Sequence, residues 1–171
     1  LTGAVDRSNS GQINLTAANG SITALDALTA RFGIAVSAPA GTLSLGQLST
    51  GGGSSNGNIT LQSSGDLTFA SLLASAPSAN SGNITISSGS GSVQTTADTI
   101  GNDVVGSGNV GISAGQAIGN GNFTNPLDIQ SGVNNAVTLT AGFNIGALAK
   151  PVNVNTTGTI EVASTGGQYH V

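Results

Sequence analysis

The sequence predicts an all-β chain wound as a three-sided parallel β-solenoid, or β-helix, and three observations carry that expectation. First, Gly57-Asn58-Ile59-Thr60-Leu61 returns as Gly82-Asn83-Ile84-Thr85-Ile86, with weaker copies at Gly108-Asn109-Val110-Gly111-Ile112 and Asn135-Ala136-Val137-Thr138-Leu139. Second, two columns of apolar residues keep step at about 25 to 27 residues: Ile59, Ile84, Val110 and Val137, then Leu67, Val93, Ile118 and Ile145. Third, a looser column runs through Leu72, Ile100, Leu127 and Val152, which gives three short strands per period. A turn and short strands repeated at this interval describe a coil stacked on itself.

Each element has its own reason. Gly57, Gly82 and Gly108, each followed by Asn58, Asn83 or Asn109, form turn pairs because both residue types tolerate positive φ. The apolar-Thr-apolar run that follows is the alternation of a strand with one buried face. Going backwards, Ile34 and Leu43, then Ile13 and Ile22, extend the first two columns, and Ile160-Glu161-Val162 begins a further turn. The count is six coils and the start of a seventh.

Taken in order, Asp6 to Ser10 is a polar turn before Gln12-Ile13-Asn14-Leu15-Thr16, and Gly20-Ser21-Ile22-Thr23 supplies a second side. Leu25, Leu28 and Phe32 are spaced as on a helix face, but a strand that continues the coil is the expected form. Pro39 separates Ile34-Ala35-Val36 from Leu43-Ser44-Leu45, as suits a corner. Pro126 and Pro151 open Leu127-Asp128-Ile129 and Val152-Asn153-Val154. Loops at 49–56, 74–81, 102–107 and 130–134 precede the first strands and are expected to stack on one edge, where a ligand would be sought first. The chain reads as one solenoid domain over 1–171, a slice of a longer array or a stacking subunit, with a polar tail at 164–171.

Composition narrows the function. Hydrophobic residues are 37% of the chain, enough for a core if they are concentrated, and four Phe, one Tyr and no Trp call for a narrow interior of aliphatic side chains. Charged residues are 6%, against roughly 25% in typical soluble domains. Although Gly (27) and Ser are abundant, the regular β-branched alternation argues against disorder. Arg7, Arg31 and Lys150 are scattered, so no basic patch exists for nucleic acid. No apolar run is long enough for a transmembrane helix, which predicts no membrane insertion. No signal-peptide pattern opens the chain, so such a segment is expected to be cleaved or to lie outside this stretch. With no cysteine, disulfides and thiolate metal sites are excluded together.

The pattern of Gly57-Asn58-Ile59-Thr60-Leu61, Ser64-Gly65-Asp66-Leu67-Thr68-Phe69, Gly115-Gln116-Ala117-Ile118-Gly119 and Val137-Thr138-Leu139-Thr140-Ala141-Gly142 resembles the repeat region of filamentous-haemagglutinin-type proteins. These are large bacterial exoproteins released by two-partner secretion, and the resemblance spans about Gly11 to Val162. It implies a right-handed coil acting outside the cell, at the bacterial surface, as a rigid stalk or adhesin. Asn125-Pro126-Leu127 does not match that family's Asn-Pro-Asn-Gly secretion motif, which leaves the secretion route open.

The candidate chemistry is sparse. A polysaccharide-cleaving β-helix needs clustered carboxylates, and of Asp6, Asp26, Asp66, Asp98, Asp103, Asp128 and Glu161 only Asp98 and Asp103 share a loop. His170 stands alone beside Tyr169 near the end and makes no triad. Gly51 to Gly57 lacks the aspartate of a calcium-binding repeat. Outward pairs Thr60/Gln62, Thr85/Ser87, Gly111/Ser113 and Thr138/Thr140 suggest an ice-binding face, but Gln62 and Gly111 break it. Asn58, Asn83 and Asn109 form a column whose amides can hydrogen-bond along the coil axis. The expectation is therefore a structural, non-enzymatic protein without cofactor or metal. Its expected partners are other coils or copies of itself, surface glycans, or host and cell-surface proteins. A self-assembling filament subunit and a carbohydrate-binding or carbohydrate-cleaving solenoid are the alternatives.

Overall fold

The computed structural model describes residues 3, 5–7, 11–51, 57–75, 82–96, 103–119 and 126–171. In chain order the strands begin with β1 (Val5–Arg7), β2 (Gln12–Thr16), β3 (Ile22–Ala24), β4 (Leu28–Ala30) and β5 (Gly33–Ala38). They continue as β6 (Leu43–Thr50), β7 (Asn58–Ser63), β8 (Leu67–Ala74), β9 (Ile84–Ser88), β10 (Val93–Thr95) and β11 (Val104–Gly106). The last are β12 (Val110–Ala114), β13 (Asp128–Gln130), β14 (Val137–Ala141), β15 (Asn153–Asn155) and β16 (Ile160–Ser164). The described residues hold no helix. The segment with helix-like spacing becomes β4, with Leu28 buried and Leu25 exposed.

Every ladder between these strands is parallel. One sheet has seven strands in the order β16-β14-β12-β9-β7-β5-β2, and a second has nine. A chain whose strands all point the same way must travel round the molecule between neighbours. The result is an all-β parallel β-solenoid of about five turns.

In the nine-stranded sheet, β6 and β8 each carry two lines of partners. Leu43–Leu45 and Leu67–Phe69 pair with each other and with β3 and β10, whereas Leu48–Thr50 and Leu72–Ala74 pair with each other and with β4 and β11. Single parallel bridges Val93–Ile118, Ile118–Ile145 and Ile145–Tyr169 prolong the first of these lines. Residues 164–171 therefore stay on the winding, with the His170 N–H bonded to the Ile145 carbonyl at 2.7 Å.

The core is built from vertical columns. Ile13, Ile34, Ile59, Ile84, Val110, Val137 and Ile160 are register partners along the seven-stranded sheet. Leu43, Leu67, Val93, Ile118 and Ile145 stack in the second column. Stacking apolar residues of similar shape keeps each layer filled by the layers above and below, which is what dense packing of a narrow interior requires. Phe69 departs from the aliphatic expectation: it is fully buried, between Leu45 and the smaller Thr95.

The third column is corrected. Leu72 pairs with Val104, which pairs with Ile129, which pairs with Val154. Ile100 lies outside the described residues. Leu127 and Val152 are buried, but each sits two residues before the column residue, Ile129 or Val154. With a side-chain period of two, residues i and i+2 share a face, so spacing alone selected the earlier of two inward candidates.

The loop reading is corrected too. Val104–Gly106, placed in a loop at 102–107, is β11, with Val104 buried.

Candidate functional site

The residue just before an inward column residue stands at or next to the start of a strand, and in the first column its side chain reaches the backbone of the next winding. In the first column those residues are Asn58, Asn83 and Asn109. The backbone N–H of Asn83 donates to Oδ1 of Asn58 at 2.9 Å, that of Asn109 to Oδ1 of Asn83 at 2.8 Å, and that of Ala136 to Oδ1 of Asn109 at 2.8 Å. The ladder thus joins side chain to backbone rather than amide to amide. It is continuous over four windings and ends where Ala136 replaces asparagine.

This geometry revises the reason for the turn pairs. None of the three asparagines has positive φ, and of Gly57 and Gly82 only Gly82 does, at 80°. At Gly57 the constraint is space, since an added Cβ would lie 2.6 Å from the Ser75 carbonyl oxygen. Asparagine is therefore used here for its reach, not for a left-handed backbone.

Beside the ladder lies the outward face of the seven-stranded sheet. Thr60, Thr85, Gly111 and Thr138 are register partners on it, as are Gln62, Ser87, Ser113 and Thr140. Three shallow, open cavities of about 220, 360 and 310 Å³ lie along this face. Two of them share Thr85, Gly111 and Thr138, because Gly111 leaves a notch where a Cβ would meet nothing within 4 Å. From β2 to β14 the strand residues on this face are hydroxyls, amides, Gly and Ala without a charge; Glu161 in β16 introduces one. Such a surface can offer hydrogen bonds and methyl groups, and no electrostatic anchor.

The second polar column was missed in the sequence. Asp103, Asp128 and Asn153 each precede a third-column residue, and each is 25 residues from the next. The N–H of Asp128 donates to Oδ2 of Asp103 at 2.9 Å, and Nδ2 of Asn153 donates to Oδ1 of Asp128 at 2.6 Å. Asp103 is only 2% exposed. Burial pushes its carboxyl up from 3.8 to about 6; the Asp128 N–H opposes that rise and the Asp128 charge adds to it. The same interval that defines the apolar columns would have found this pair, but reading by loop joined Asp103 to Asp98 instead. Asp98 lies outside the described residues.

Other corners use the same bond. Oδ1 of Asp66 accepts from the Ser92 N–H at 2.8 Å, and Oδ1 of Asn144 from the Gln168 N–H at 3.0 Å. Among the described residues no three His, Cys, Asp or Glu come together in a way that could hold a metal ion. No helix among them is long and apolar enough to cross a membrane. No family model, curated protein or solved structure matches the chain.

Proposed function

We propose that the chain is a stiff structural shaft: a right-handed, three-sided coil of six to seven windings, a slice of a longer array or a stacking unit of a bacterial surface or secreted protein. The observation that carries this reading is the seven-stranded parallel sheet, in which each winding is hydrogen-bonded to the next over an aliphatic column. In this reading the two lines of partners in the nine-stranded sheet are taken as the other two sides. Crossovers between parallel strands of one sheet are right-handed in about 98% of cases, which supports the handedness. At about 4.8 Å per winding, six or seven make a rod on the order of 30 Å long. Bending such a rod strains backbone hydrogen bonds and packed side chains together, so its stiffness needs neither disulfide nor metal.

Electron microscopy of the purified chain tests the form, and antibody labelling of intact source cells tests the place. Short rods and surface label are expected. Long fibres would move the reading to a self-assembling subunit, and label that appears only after permeabilisation would overturn the extracellular role.

A second reading is favoured by the cavities along the Thr85–Thr138 face: an uncharged glycan chain bound there through hydroxyls and amides. Gly111→Val fills the notch from open space and suits a strand. Calorimetric titration with neutral β-linked glucose oligomers should show binding that Gly111→Val abolishes while the melting temperature holds. Equal binding by both proteins, or none by either, would remove this reading.

A further inference from the structure

We infer that the outward face of the seven-stranded sheet carries a separate sugar subsite, a trough closed at one end by Phe32 that takes a single ring of a neutral saccharide. It asks for the same class of ligand as the Thr85–Thr138 reading but stands on different residues, centred on β5 rather than β12, three strands along the sheet.

The trough follows from register. Gln12, Gly33 and Asn58 are partners across β2, β5 and β7, and so are Asn14, Ala35 and Thr60. In both rows the middle strand carries the smallest side chain, so Gly33 and Ala35 form a floor between two polar walls. Those walls stand two strand spacings apart, about 10 Å. The end wall comes from a local exchange: where later windings have Gly57-Asn58, Gly82-Asn83 and Gly108-Asn109, this winding has Phe32-Gly33. The side chain that would fill the floor is thereby gone, and an aromatic ring stands where the glycine would be. These residues, with Ile34, line the cavity of about 220 Å³.

The chemistry suits a sugar. The amides of Gln12, Asn14 and Asn58 and the hydroxyl of Thr60 offer both donors and acceptors, as sugar hydroxyls do, and no lining residue is charged. Oδ1 of Asn58 already accepts the Asn83 N–H at 2.9 Å, so this side chain has its NH2 group to give. Phe32 supplies a flat apolar surface against which the C–H face of a pyranose packs. The Arg31 guanidinium lies 5.4 Å from the centroid of that ring, which steadies the ring before a ligand arrives. The cavity is smaller than the roughly 300–1,000 Å³ of sites for drug-sized ligands, which points to one ring.

NMR titration of the whole chain with the methyl glycosides of glucose, galactose and mannose tests it. Shifts are expected at Phe32, Gly33 and Ala35 with at least one sugar. Phe32→Ala should weaken that binding about tenfold, and Phe32→Tyr, which keeps a ring, should retain it. Gly33→Asn leaves Phe32 in place, restores the side chain found one winding on and should abolish binding by filling the floor. No shift with any of the three sugars, or wild-type binding by a folded Phe32→Ala or Gly33→Asn protein, would overturn the subsite. Gly111→Val should leave these shifts unchanged, so the Thr85–Thr138 reading stands or falls separately.

Discussion

Two polar columns run up this solenoid at different corners and make the same bond. In one, Oδ1 of Asn58, Asn83 and Asn109 accepts the N–H one winding further on at 2.8 to 2.9 Å. In the other, Oδ2 of Asp103 accepts the N–H of Asp128 at 2.9 Å. The asparagines are neutral and lie at the edge of an open face, whereas the aspartate is buried below a second carboxylate. The difference teaches that axial geometry alone does not set the strength of such a bond. Burial sets the two columns apart: it raises the Asp103 carboxyl to about 6 against the pull of that same bond, whereas a neutral amide has no such conflict.

The comparison can be broken first at its common base. Ile84 sits beneath the asparagine ladder and Ile129 beneath the aspartate column, and both are buried. Ile84→Ala and Ile129→Ala should each lower stability by about 2–5 kcal/mol in urea unfolding, at pH 5 and at pH 7.5 alike. A pH-dependent gap between these two costs would place the difference in the core and not in the polar columns.

The next largest effect is expected from Asp103→Asn. A carboxyl whose folded value is raised binds its proton more tightly in the folded state, so its contribution is fully present below the unfolded value and is lost as pH rises through the folded one. Here the window runs from 3.8 to about 6. The linked free energy is on the order of 1–3 kcal/mol. Above pH 6.5 Asp103→Asn should therefore be more stable than the wild type by that amount, and below pH 4 the two should coincide.

Asn83→Ala should cost less, about 1 kcal/mol, because it removes one acceptor and leaves the Asn109 N–H to find water at an exposed position. That cost should not vary between pH 4.5 and 8 in thermal melts.

How much of this was legible in the sequence follows from what the period can and cannot carry. Ile59, Ile84 and Val110 were readable as vertical neighbours because each directly follows a Gly-Asn pair, which fixes the register. Leu72 was placed on the right column with the wrong partners, because Leu127 and Ile129 alternate on one face and the interval fits both. The asparagine ladder was visible as a column, but its bonds were not, since the choice between amide and backbone donors depends on where the corner turns. Asp103 and Asp128 were missed for a different reason: acids were judged by nearness in sequence, whereas in a coil the neighbour that matters lies one full winding away.

The sharpest remaining test transplants one column's chemistry into the other. Asn83→Asp with Asn109→Asp places two carboxylates one winding apart on the seven-stranded sheet, in the relation that Asp103 and Asp128 hold on the other sheet. Each keeps an oxygen to accept the same backbone N–H, while the side-chain amide donor is replaced by a charged acceptor. The ladder positions are more exposed than Asp103, so water and salt screen the repulsion. The free energy of unfolding should fall between pH 4 and 6 by about 1 kcal/mol or less, and the fall should shrink in about 0.5 M salt while that of the Asp103 pair persists. An effect equal to that of the buried pair would mean that stacking carboxylates is sufficient by itself, and that burial contributes nothing to the contrast between the two columns.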